Sequence, residues 1–231
     1  MDSPLDDAAR SGRRLNPDPR VRKAIVAAAT EAVREDGVRG LSVAQVLARA
    51  GIGTRAFYRH FDSKDQLVSA VFLDMARAET RRLRKRMATS ADPVLAVVAW
   101  IDGRLDLAFS DEIKSDLRQM SLEAQSQMFA SPEVIGDAYA AILTPLVEQL
   151  ERGAQQGCFT DVEPAAHALS IQGVLWSSVE RQWATGDCDR EQVRRAVLQF
   201  CLRGLGVAQA SIAGVLAEST THLAATRPDG Q

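Results

Sequence analysis

Apolar positions recur along most of this chain at the spacing of one helix face, and no run alternates as a half-buried strand would. Asp18 followed by Pro19 marks a helix start, and Val21, Ile25, Ala28 and Ala32 give that helix a core stripe before Gly37 stops it. A shorter helix opens at Ser42, with Gln45 placed for a capping box and Leu41 and Val46 placed as a hydrophobic staple. Its stripe is Val43, Val46, Leu47 and Ala50. Gly51 and Gly53 then bracket Ile52 in a turn, where a left-handed residue comes easily only to glycine. In the next short helix Phe57 and Phe61 share the inward side, while Thr54, Arg55, Tyr58 and Arg59 face away. Ser63 and Gln66 repeat the capping pattern and open a long helix striped by Leu67, Val71, Met75 and Ala78.

Downstream the pattern stays helical. Asp92-Pro93 starts a helix with Val94, Val97, Ile101, Leu105 and Ala108 on one side, and a less regular helix is expected around Ile113–Phe129. Ser131-Pro132 starts another that runs to Gly157 and carries Pro145 inside, where the missing N–H kinks the helix and can open space beside it. In Glu163–Ala184 the small residues Ala166, Ser170, Gly173 and Ser177 line one face, opposite Leu169, Gln172, Leu175, Trp176, Val179 and Trp183. Asp189 and Gln192 cap a last strong helix, with Val193, Ala196, Val197, Phe200 and Gly204 on one side. Ile212, Val215 and Leu216 suggest a short terminal helix before the frayed tail 226–231.

These elements define an all-α chain in two parts. Residues 18–66 form an N-terminal three-helix domain of helix-turn-helix type, and 67–225 form a C-terminal helical domain, with the helix after Ser63 shared between them. Two helices joined by a tight glycine turn, the second presenting arginines, suit the DNA major groove. The charge distribution agrees. Net charge is −2, but residues 10–64 hold twelve Lys and Arg against five Asp and Glu, whereas 65–231 hold sixteen against twenty-two. A basic segment joined to an acidic remainder is the footprint of a local phosphate-binding face. Residues 1–17 read as disordered, and Arg13 and Arg14 there either follow DNA as a basic arm or simply solvate the tail. The cluster RRLRKR at 81–86 suits the C-terminal end of a helix dipole and could also extend the DNA-facing charge.

The same residues carry a family likeness. AGIGTRAFYRHFDSKDQL resembles the helix-turn-helix of the TetR-type (tetracycline-repressor-like) transcription regulators, and the likeness extends back through VRKAIVAAATEAVREDGVRGLSV. Carried over by position, it implies phosphate contacts from Ser42, Tyr58, His60 and Lys64 and base contacts from Thr54, Arg55 and Arg59. Ala56 departs from the family pattern and offers only a methyl, suited to thymine, and Gly53 stands where a Ser or Thr cap is usual. The resemblance further implies a homodimer on a pseudo-palindromic double-stranded operator. The paired helices would meet through Ala166, Ser170, Gly173, Ser177, Val193, Val197, Phe200 and Gly204, unless those faces pack within the chain.

The resemblance also implies a C-terminal cavity for a largely apolar small-molecule effector that releases a repressor. Bulky or polar residues on apolar faces are its candidates: Trp100, Met120, Met128, Phe129, Tyr139, Gln172 and Trp176. A buried Gln172 needs partners, which a ligand, a water or the core itself can supply. The competing readings are a helical DNA-binding protein without an effector, and an enzyme. His60, His167 and His222 are scattered, no His/Cys cluster has metal-ligand spacing, and no phosphate-binding glycine loop or nucleophile elbow occurs, so neither an enzyme nor a cofactor is expected. Apolar residues make up 46% and charged ones 25%, no stretch is long enough to span a membrane, and the acidic N-terminus argues against a secretory signal. Three widely spaced cysteines fit a reduced cytoplasm.

Overall fold

The structure, a computed structural model, describes residues 18–109 and 115–225, the side chains of 115–119, 129 and 218–225 excepted. The expected arm with Arg13 and Arg14, the tail 226–231 and the side chain of Phe129 lie outside the described residues. Ten helices and no strand make up the regular structure of the described residues: α1 Pro19–Gly40, α2 Val43–Ala50, α3 Thr54–Phe57, α4 Lys64–Met87 and α5 Pro93–Phe109. They continue with α6 Ser115–Ala130, α7 Pro132–Gln155, α8 Pro164–Thr185, α9 Arg190–Gly204 and α10 Gln209–Ala225. The chain divides into two compact units, 1–71 and 72–231, the division falling inside α4.

In the first unit the caps form as the sequence suggests, with one variation. Asp18 accepts from the Arg20 N–H at 2.8 Å, and Ser42 Oγ accepts from the Gln45 N–H at 3.1 Å. The Gln45 side chain does not return to its cap; it donates to Asp36 at 2.8 Å and so ties α2 to α1. Ser63 Oγ accepts from the Gln66 N–H at 3.1 Å, and Gln66 Oε1 accepts from the Asp62 N–H at 2.6 Å, one residue ahead of the textual box. Gly37 breaks α1 with φ 69° and ψ 175°, and a final turn carries the helix to Gly40. Gly51 ends α2 in the left-handed region at φ 65°, a conformation that strains any side chain with a Cβ. Ile25, Ala29, Ala32, Val46, Phe57, Phe61 and Leu67 close the core of this unit, and Val21 is only half-buried at its edge.

The second unit is built around α5, which packs on α6, α7, α8 and α9 and is buried on nearly every side, beyond the single stripe expected. Trp100, Ile101 and Leu105 meet Leu146 and Leu150 of α7, Ile171 and Leu175 of α8, and Leu198 and Leu202 of α9 in one continuous core. On α4 Leu67 and Val71 are fully buried and Met75 half-buried as the stripe expects, but Ala78 is exposed, and Ala76, Leu83 and Met87 carry the inward side onward. Pro145 leaves the Ala141 carbonyl without its helical donor, and the Thr80 hydroxyl of α4 donates to it at 2.8 Å. α10 is a full helix of 17 residues where a short one was expected. Among the described residues no helix is long and apolar enough to cross a membrane.

Candidate functional sites

The first site is the outer side of α3 and the turn after it. Phe57 and Phe61 are 0% and 1% exposed, with ring centroids 5.7 Å apart, and they anchor the segment inward. A four-residue helix has little stability of its own, so this aromatic anchor fixes which side chains point out. Thr54, Arg55 and Arg59 are exposed, Tyr58 is 59% exposed, and Ala56 and His60 are half-buried. The Nδ1 of His60 has no hydrogen-bond partner. Ser42 is exposed at the start of α2, and Lys64 is half-buried at the start of α4 behind the Ser63 cap.

Among the described residues the ion pairs of this unit are Arg34–Glu31 and Arg49–Glu35, and Arg55, Arg59 and Lys64 take part in neither. Sequence reasoning missed Arg22, whose guanidinium sits over the Phe61 ring at 5.1 Å and covers the back of the anchor. The side presented by these groups is cationic, with one large aromatic hydroxyl and a helix start beside it. Such a surface can donate to phosphate oxygens and to base edges.

Most of the basic cluster at 81–86 is committed elsewhere. Arg82 grips Glu79 through Nε and Nη2 at 2.8 Å each, Arg84 forms a fork on Glu148 at 2.6 Å, and Arg86 pairs with Asp106. These partners, all in the second unit, hold three of the five cations of the cluster, and Arg81 and Lys85 are exposed.

The second site is a cavity of about 80 Å³ in the second unit. Phe72, Met75 and Ala76 of α4, Leu107 of α5, Met120 of α6, and Ile135 and Ile142 of α7 supply its apolar wall. Four of the seven candidates from the sequence line it: Met120, Tyr139, Gln172 and Trp176. Trp100 does not; it is fully buried in the α5 core, with its indole N–H donating to the Ile142 carbonyl at 3.4 Å. Met128 is also absent from the lining, and Phe129 is outside the described side chains.

The polar lining was the part sequence reasoning missed. Glu79 and Arg104 face one another across the wall, Arg104 Nη1 to Glu79 Oε1 at 3.3 Å, with side chains 10% and 8% exposed. Burial works to raise the Glu79 carboxyl, but Arg82 and Arg104 more than offset it and hold it below the usual carboxylate range. Burial pulls Arg104 below the usual guanidinium range despite the attraction of Glu79. Two buried polar atoms at the wall have no hydrogen-bond partner, Arg104 Nε and Gln172 Oε1, in residues 6% and 4% exposed. An i, i+3 Glu-Arg pair at 79 and 82 was the only linear trace of this cluster, and such pairs are ordinary on helix surfaces.

The third feature is a face of α8 and α9. Ala166, Ser170, Gly173, Ser177 and Gly204 are exposed, as is Phe200 at 66%. Leu169, expected on the inward bulky side, is 56% exposed and joins this face. Val197 is a correction in the other direction: at 2% exposed it belongs to the core of its own chain, and Val193 is half-buried against that core. Cys158, Cys188 and Cys201 form no disulfide, and burial pushes the Cys201 thiol up to about 12. Among the described residues, no group of three or more His, Cys, Asp or Glu could hold a metal ion.

Residues 25–71 match the family described as bacterial regulatory proteins, tetR family. No curated protein sequence matches the chain. Among solved structures, the chain is similar to RolR in complex with resorcinol, at 20% identity and a TM-score of 0.59, covering 92% of this chain and 96% of that one. It is also similar to FadR of Bacillus subtilis in complex with stearoyl-CoA, at 19% identity and a TM-score of 0.61, over 79% of this chain and 98% of that one. Residues 25–71 are thus of the tetR-family type, and the fold over most of the chain is similar to these two structures.

Proposed function

We propose that this chain, a TetR-type regulator by its N-terminal domain, is a homodimeric, ligand-responsive repressor of transcription. Its two heads would bind the half-sites of a pseudo-palindromic duplex. The observation that carries the reading is the outward set Thr54, Arg55, Tyr58 and Arg59 on a helix pinned from behind by Phe57 and Phe61. Arg55 and Arg59 are the base readers, since a guanidinium fork matches guanine O6 and N7. Ser42, Tyr58, His60 and Lys64 hold phosphates and set the register, and Ala56 meets a base methyl.

The exposed Leu169, Phe200 and small-residue face of α8 and α9 supports pairing of two copies, because solvated apolar groups of that size mark an interface. The cavity supports an effector, in keeping with resorcinol bound by RolR and stearoyl-CoA bound by FadR. α4 contributes Lys64 to the DNA-facing set and Glu79 to the cavity, so one helix touches both functions. An effector acts by binding one state of the dimer more tightly than the other. The test is selection of bound duplexes from a random pool by the full-length protein, with sedimentation of the complex. Enrichment of a two-fold-related pair of half-sites with two chains per duplex is expected; a monomer, or a pool with no enrichment, would overturn the reading.

A further inference from the structure

The cavity wall states what kind of molecule it would hold. Arg82 occupies both oxygens of Glu79 with good fork geometry, so that carboxylate is already answered. Arg104 reaches the same carboxylate only at 3.3 Å, longer than the 2.7–2.9 Å or so usual between charged partners. Arg82 stands outside the cavity lining and is committed to Glu79 and the Gly103 carbonyl, so the wall itself presents Arg104 as a cation whose one carboxylate partner is held more closely by another arginine. A buried cation without a full counter-charge is costly, and Arg104 Nε has no partner at all. Gln172 Oε1, on α8, lacks a donor. The cavity thus leaves open one anion-seeking group and one donor-seeking group, with Met75, Met120 and Trp176 around them as adaptable and flat apolar surface.

The geometry points to a small organic anion as the effector: a carboxylate, or an equivalent oxyanion, paired with Arg104, carrying a hydroxyl or N–H that donates to Gln172 Oε1. This rests on the effector reading above and adds the charge and polarity of the ligand. Entry of the anion would answer Arg104 without disturbing the fork of Arg82 on Glu79.

The test uses the full-length protein and matched aromatic probes at neutral pH: ortho-, meta- and para-hydroxybenzoate, the corresponding hydroxybenzamides, and the corresponding hydroxybenzylamines. The three isomers span the possible spacings between Arg104 and Gln172. Calorimetric titration should show at least one hydroxybenzoate binding about tenfold or more tightly than its amide, the size of one charge-assisted hydrogen bond, with the amine weakest. Arg104→Gln should abolish that preference. Gln172→Leu should make the hydroxybenzoate no better than plain benzoate while keeping the preference for the anion; it also serves if Arg104→Gln does not fold. Equal or tighter binding of amide or amine, or no binding by any of the acids, overturns the inference. Release of duplex DNA by neutral compounds such as resorcinol would then leave the effector reading standing. Duplex affinity that no compound of any charge changes overturns both.

Discussion

The reading head and the cavity are built in opposite ways. In the head, the residues that matter lie between Ser42 and Lys64, one short stretch of chain, and a buried pair, Phe57 and Phe61, decides where those of α3 and its following turn point. In the cavity, Glu79, Arg104, Tyr139 and Gln172 come from four helices and meet only because α5 is enclosed by its neighbours. The head keeps its charges in water, ready for phosphate; the cavity buries its charges and leaves two polar atoms unanswered. A local site is robust to changes elsewhere and sensitive to its anchor. An assembled site depends on packing at a distance.

The sharpest way to break this contrast is to remove the anchor. Phe57→Ala leaves a large hole in a small core and should cost about 3–5 kcal/mol of head stability, read by thermal denaturation, with duplex binding lost at temperatures where the second unit persists. Next in size, Phe200→Asp should weaken the dimer by about 2 kcal/mol or more, read by sedimentation, with no change in the melting of the monomer core. Arg55→Ala should cost about 1–3 kcal/mol of base discrimination while nonspecific affinity changes far less, measured by selection from a random pool. Thr80→Val should cost a similar amount of stability, about 1–3 kcal/mol, by orphaning the Ala141 carbonyl. With Pro145→Ala alongside, which returns a helical donor to that carbonyl, the loss should shrink; an unchanged loss would show that Thr80 acts otherwise.

The Glu79 pKa is lower folded than unfolded, so its contribution to stability is present above the usual carboxylate value of about 4.3 and is lost as pH falls through the lower folded value. Glu79→Gln should remove that part of the acid dependence of melting, the smallest effect of the set.

What the sequence showed follows from the same division. Capping at Ser42 and Ser63, the glycine turn at Gly51 and the inward phenylalanines are short-range, so their roles could be read directly from spacing. Even there, the side chain of Gln45 chose Asp36, nine positions back, over its own cap, a choice that only the folded head decides. Periodicity also located most helices of the second unit, but on α4 it put Ala78 inward where Ala76 is buried, and it left Leu169 on the wrong side of α8. A helix that touches several neighbours, like α5, has no single stripe to follow. Gln172 stood out because an amide amid apolar residues is conspicuous, whereas Arg104 and Glu79 looked like ordinary surface charges until tertiary packing buried them.

The central claim is that the cationic, aromatic side of α3 grips duplex DNA, and its most direct measurement is duplex affinity against salt concentration for the full-length protein and for Lys64→Ala. Log affinity should fall linearly with log salt for the wild type, and the slope should lessen by about one for the variant as one phosphate contact is removed. A wild-type protein that ignores duplex DNA even at low salt, or a slope that Lys64→Ala leaves untouched together with Arg55→Ala and Tyr58→Phe, would contradict it.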